Sequence, residues 1–77
     1  MPKTKILVIR DVKEENYQET ITEKLKEKDI LVRDVAIDYD KDNQSRKYTL
    51  TIELPHDAVE EKIVSELGYN VSLKTSI

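Results

Sequence analysis

The order of hydrophobic periodicities constrains this chain more than any other feature. A continuous apolar run, a helical period, two stretches of two-residue period, a second helical period and a last alternating stretch fill all 77 residues. That succession predicts β-α-β-β-α-β with nothing left over, so residues 1–77 read as a single domain.

The run Ile6-Leu7-Val8-Ile9 is apolar at every position, which suits a central strand buried on both faces. Tyr17, Ile21 and Leu25 follow at helical spacing. Either Asp11 with Glu14 or Asn16 with Glu19 has the spacing of a capping box; Asn16 is preferred because the apolar stripe begins beside it. Glu23 and Glu27, mixed with Lys24, Lys26 and Lys28, form the wet face, and Asp29 sits near the stop. Ile30 to Asp40 reads as the second strand. Ile30 and Val32 are out of phase with Val35, Ile37 and Tyr39, so a bulge is expected near Arg33-Asp34, or the first two belong to an entry loop. Lys41 to Arg46 is a polar hairpin turn. Tyr48, Leu50, Ile52 and Leu54 alternate with Thr49, Thr51 and Glu53 in the third strand, which Pro55 ends. Asp57, with Glu60 three residues on, predicts the cap of a second helix whose buried stripe is Val59, Ile63 and Leu67. Gly68, the single glycine, falls where a helix exit needs the left-handed region. Tyr69, Val71 and Leu73 form the last strand.

A tight hairpin makes strands two and three antiparallel neighbours. Right-handed strand-helix-strand crossovers then give a split βαβ sandwich, an α+β ferredoxin-like fold with sheet order 4-1-3-2 and both helices on one face. Strands one and three are central. The other face carries Thr49 and Thr51, with either Ile6 and Val8 or Leu7 and Ile9 beside them.

Composition narrows the chemistry. There is no cysteine, so disulfides and thiolate ligands are excluded. Phe and Trp are absent and the four aromatics are tyrosines; their hydroxyls predict positions at core edges. Charged residues make up 38% of the chain, yet the net charge is only −3, because the two signs are interleaved. That favours solubility over a nucleic-acid surface. No apolar run approaches the roughly 18 residues of a membrane span, and the first ten residues do not form a signal peptide. The expectation is a soluble intracellular chain.

Several constellations imitate functional sites. Asp38-x-Asp40-x-Asp42-Asn43 resembles the start of a calcium loop, but Asn43 stands where the loop needs glycine and Thr49 where it needs a bidentate Glu. Asp38, Asp40 and Asp42 are therefore weak metal candidates on a solvated hairpin tip. His56 lacks a metal-ligating or nucleophilic partner and precedes a helix cap. Lys3, Lys5, Arg10, Lys13, Lys41, Arg46 and Lys47 would be an RNA surface only if clustered, and strand one offers no ring for base stacking. No glycine-rich loop or acid–base pair is present. The chain reads as a non-enzyme with no catalytic residue and no cofactor. Its working parts are expected to be the open sheet face, at Ile6, Val8, Thr49 and Thr51, and the strand edges, which invite a protein partner or a second copy.

The ending Glu66-Leu67-Gly68-Tyr69-Asn70-Val71-Ser72-Leu73 resembles the last helix and strand of heavy-metal-associated domains. The segment Asp11 to Tyr17, where those domains hold metal, has no thiol, so a degenerate member would not bind soft metal. Across essentially the whole chain, the strand Ile6–Arg10, the segment Lys28–Val35 and the block Lys47–Pro55 resemble the ACT-like C-terminal domain of MgtC/SapB-family membrane proteins. That resemblance implies a regulatory domain on the cytoplasmic face of the bacterial inner membrane, joined to a transmembrane half and linked to magnesium limitation and virulence. ACT-like modules regulate by pairing or by binding small ligands, which leaves a small-ligand or cation sensor as the alternative. The turn after strand one lacks the Pro and Gly of the usual ligand loop, so no ligand residues carry over.

Overall fold

The computed structural model describes residues 2–75. The elements run β1 (Lys3–Val12), α1 (Tyr17–Glu27), β2 (Leu31–Asp40), β3 (Ser45–Leu54), α2 (Glu60–Leu67) and β4 (Val71–Thr75). This is an α+β chain with one four-stranded antiparallel sheet. The hydrogen-bonded order is β2-β3-β1-β4, or 4-1-3-2 counted from the β4 edge.

The alternation of β3 sets the layers. Tyr48, Leu50, Ile52 and Leu54 are buried, and Leu7 and Ile9 face Leu50 and Tyr48 across the β1–β3 ladder. Ile21 and Leu25 of α1 and Ile63 of α2 join the same core, so both helices cover one face. Leu7 and Ile9, not Ile6 and Val8, are the β1 pair under the helices.

Two one-residue bulges keep apolar side chains in that layer. Between Ile9 and Val12, β1 uses three steps where β3 uses two, from Tyr48 to Arg46. Asp11, at φ 57°, takes the left-handed position of the bulge, and the parity change turns Val12 into the core. In β2, the register slips between Val32 and Asp34. Arg33 is the extra residue, so Val32 and Val35 both reach the helix side. The expected bulge at Arg33-Asp34 is therefore present, and Ile30 lies in the entry loop before it.

The helix ends depart from the reading of the sequence. Asn16 precedes α1 but makes no side-chain capping hydrogen bond, so the Asn16–Glu19 box does not form. The α1 exit is a Schellman motif: Ile30 N–H donates to the Leu25 carbonyl at 2.9 Å and Asp29 N–H to that of Lys26 at 3.0 Å, with Asp29 at φ 60°. Asp57 does not cap α2. Pro55 starts a turn in which Ala58 N–H donates to the Pro55 carbonyl at 3.0 Å. That turn consumes Asp57 and delays the helix to Glu60. Ala58 packs against the core instead of Val59, which is 61% exposed. Gly68 has φ 133° and ψ 172°. It leaves α2 through an extended positive-φ region open essentially to glycine alone, rather than through the left-handed helical region. Tyr69 then lies in a turn outside β4.

Candidate functional site

The face that the helices leave bare can be read row by row across the sheet. One row is Ala36, Thr49, Val8 and Ser72; the next is Asp34, Thr51, Ile6 and Lys74. The four expected interface residues thus form two adjacent cross-strand pairs, Val8–Thr49 and Ile6–Thr51, at the centre of the face. They are not equally available. Ile6, Thr49 and Thr51 are half-buried, but Val8 is only 2% exposed. Its cover comes from within the sheet. The Arg10 guanidinium donates to Ser72 Oγ at 3.3 Å, and Ser72 is the residue directly across from Val8.

Charge lies around this centre. Arg33 Nη2 donates to Glu53 Oε2 at 2.9 Å, and Asp38 stands opposite Lys47, an opposite-charge cross-strand pair. The perimeter therefore holds both signs. Arg10 and Lys47 share it, whereas Lys3 and Lys5 turn to the other side of the sheet and meet Glu60 at 3.5 and 3.8 Å. Lys13 binds the Asn43 carbonyl at 2.6 Å. The seven basic residues considered for RNA are thus not gathered into one surface.

The aspartate triplet is divided in the same way. Asp40 accepts from Asn43 Nδ2 at 2.7 Å, Asn43 N–H at 3.2 Å and Asp42 N–H at 3.0 Å. The Asn43 side-chain bond, helped by the two backbone donors, holds the Asp40 carboxyl below its ordinary value. Its oxygens staple the hairpin, shortening the loop to Lys41–Gln44 between β2 and β3. Among the described residues, no three His, Cys, Asp or Glu side chains gather in a way that could hold a metal ion. His56 is exposed in the turn after Pro55.

The tyrosines do not all keep to the core edge. Tyr48 is 1% exposed and its ring lies 5.4 Å from that of Tyr17. Burial, then the nearby Glu14 and Tyr48, raises the Tyr17 hydroxyl above its ordinary value. Tyr39 is exposed with the Arg46 guanidinium 5.3 Å over its ring. Tyr69 is fully exposed.

Among the described residues neither sheet edge pairs with a further strand, but the two edges differ. The β2 edge is ten residues long, broken by its bulge and marked by Asp34, Asp38 and Asp40. The β4 edge is five residues long and borders a groove against α2, lined by Val64, Tyr69, Val71 and Leu73 with Glu60 and Glu61 at its rim. Sequence reading did not find this groove. In the sequence Val64 stands alongside the α2 stripe and Tyr69 reads as part of β4, and nothing in their spacing marks a gap between helix and strand.

Among the described residues, no helix is long and apolar enough to cross a membrane. No protein family, curated protein or solved structure matches the chain.

Proposed function

We propose that this chain is a non-catalytic regulatory domain that works by protein–protein contact through its helix-free sheet face. One observation carries the reading. Ile6, Val8, Thr49 and Thr51 form a compact neutral centre in two adjacent cross-strand pairs, and Arg10, Arg33–Glu53, Asp34, Asp38–Lys47 and Lys74 surround it. A neutral centre that sheds water easily, inside a polar rim that stays wet, is the layout of a protein interface.

The β-α-β-β-α-β order with its central β1 and β3 supports a ferredoxin-like fold of ACT-like type. The likeness of Lys28–Val35 and Lys47–Pro55 to the cytoplasmic tail of MgtC/SapB-family proteins supports, as partner, the membrane-embedded half of such a protein or a second copy of this domain. The domain would then sit at the cytoplasmic face of the inner membrane and modulate the membrane half without chemistry of its own.

Two measurements test this. Sedimentation equilibrium from micromolar to millimolar protein reads self-association, and amide shift mapping against the membrane half in nanodiscs reads the partner. Thr49→Arg places a charge at the centre of the face without touching the core. It should abolish either contact while leaving the far-UV circular dichroism unchanged. A protein that stays monomeric throughout, with Thr49 and Thr51 amides unmoved by the membrane half, overturns the proposal.

A further inference from the structure

The open groove between α2 and β4 measures about 740 Å³, and among the described residues Glu60 and Glu61 are its charged lining residues. Glu60 is held by Lys3 and Lys5; Glu61 has no ion pair among the described residues. The strand beside it is open. Arg10 N–H donates to the Asn70 carbonyl, which fixes the parity of the β1–β4 ladder. Arg10–Asn70, Val8–Ser72 and Ile6–Lys74 are the hydrogen-bonded pairs, so the N–H and C=O groups of Val71, Leu73 and Thr75 point away from the sheet. Those three residues carry their side chains on the α2 side, and Val71 and Leu73 line the groove.

We propose that this edge and groove form a docking site for an extended basic peptide segment of a partner protein, added antiparallel to β4 as a fifth strand. Its backbone pairs with Val71, Leu73 and Thr75. Residues directly opposite Val71 and Leu73 project on the same face, so two apolar side chains, two positions apart, enter the groove beneath Val64. The direction follows from Lys5, which pairs across the sheet with Thr75 and reaches Glu60 at 3.8 Å. The start of α2, where Glu61 is the carboxylate without an ion pair among the described residues, therefore lies over the Thr75 end of β4. An antiparallel segment brings its amino end there, which places its Lys or Arg against Glu61. The exposed Tyr69 closes the other end. The surface is separate from the helix-free face, so the two proposals stand or fall independently.

The probes are the peptide Ac-Lys-Arg-Val-Thr-Val-Thr-amide, its twin with Glu-Asp in place of Lys-Arg, and a panel with Leu or Tyr at the two Val positions. Amide shifts of the labelled domain report the site. Saturable shifts are expected at Val71, Leu73, Thr75 and Val64, with a preference for the basic peptides on the order of tenfold that Glu61→Lys reverses. Thr75→Pro removes an outward-facing N–H and no ladder bond, so it should weaken binding several-fold with the fold intact. Absence of saturable shifts with the whole panel at millimolar peptide overturns the proposal. So does equal affinity for the acidic twin, or shifts centred on Thr49 and Thr51.

Discussion

Leu7 and Val8 are neighbours in one strand, and both are almost completely hidden, at 0% and 2% exposure. What hides them differs. Leu7 lies in the layer between sheet and helices, surrounded by Leu50, Leu73 and the helix side chains. Val8 lies on the face that the helices leave bare, flanked by Thr49 and by Ser72, to which the Arg10 guanidinium is bonded. Burial by a closed core and burial by flanking side chains give the same exposure but not the same energy. A cavity under Leu7 has no access to water, while space beside Val8 fills with solvent or with a rearranged arginine. The comparison also explains why an apolar central strand can border a face free to meet another protein.

The largest effect should come from Leu7→Ala. Removing a fully enclosed leucine costs about 2–5 kcal/mol, enough to bring so small a domain near its unfolding threshold. Val8→Ala should cost about 1.5 kcal/mol, the transfer of its two lost methyl groups without an enclosed void. Urea denaturation of the two variants side by side checks the ranking, and equal losses would mean that something other than side-chain arms seals Val8. Hydroxyl tolerance gives a sharper contrast. Val8→Thr, set beside Thr49 and Ser72, has partners or water for its hydroxyl and should lose less than about 1 kcal/mol. Ile9→Thr puts the same group among core side chains at a cost of about 1–3 kcal/mol or more.

The next effect tests what holds β4 against both faces. Gly68 turns the chain out of α2 at φ 133°, and a Cβ there would stand 3.1 Å from Asn70 Oδ1. Asn70 donates through its side-chain amide to the Arg10 carbonyl at 2.7 Å, tying the start of β4 to the end of β1. Gly68→Ala should cost about 1–3 kcal/mol. It should also loosen the Asn70 contact, seen as faster amide exchange at Arg10 and in β4 than in β2. Uniform acceleration across the sheet would show that the turn matters to the whole fold rather than to β4.

The legible parts of the molecule were those where side-chain period and burial coincide. Tyr48, Leu50, Ile52 and Leu54 announced β3, and the phase slip between Val32 and Val35 announced a bulge, because one face of the sheet must stay apolar. The grouping of Ile6 and Val8 with Thr49 and Thr51 was one of two open phases. Only the register resolved it, since a strand apolar at every position carries no phase of its own. The helix starts were misread for a related reason. Asp57 and Glu60 have the spacing of a capping box, but the Pro55 turn competes for the same residues and wins. The exits were read in place: Asp29, near the expected stop of α1, takes a left-handed position usually given to glycine, and Gly68 leaves α2. The groove beside β4 was illegible because it is a gap between elements, which no local pattern encodes.

The smallest effect lies outside both faces, at the hairpin tip. Asp40 is fully exposed, yet its carboxylate accepts from Asn43 and Asp42, and those donors lower it relative to the unfolded chain. A depressed carboxyl contributes stability above its unfolded value, and that contribution disappears as pH falls through the folded value. On acidification the hairpin should therefore hold through the ordinary carboxylate range and loosen below it. The Asn43 and Asp42 amides should report a midpoint lower than that of an unbonded aspartate, and Asp40→Ala should erase the transition. Leu7 and Val8 should not register it. If their amides move at the same midpoint, the tip is coupled to the sheet centre, and the two faces differ less in their independence than in what covers them.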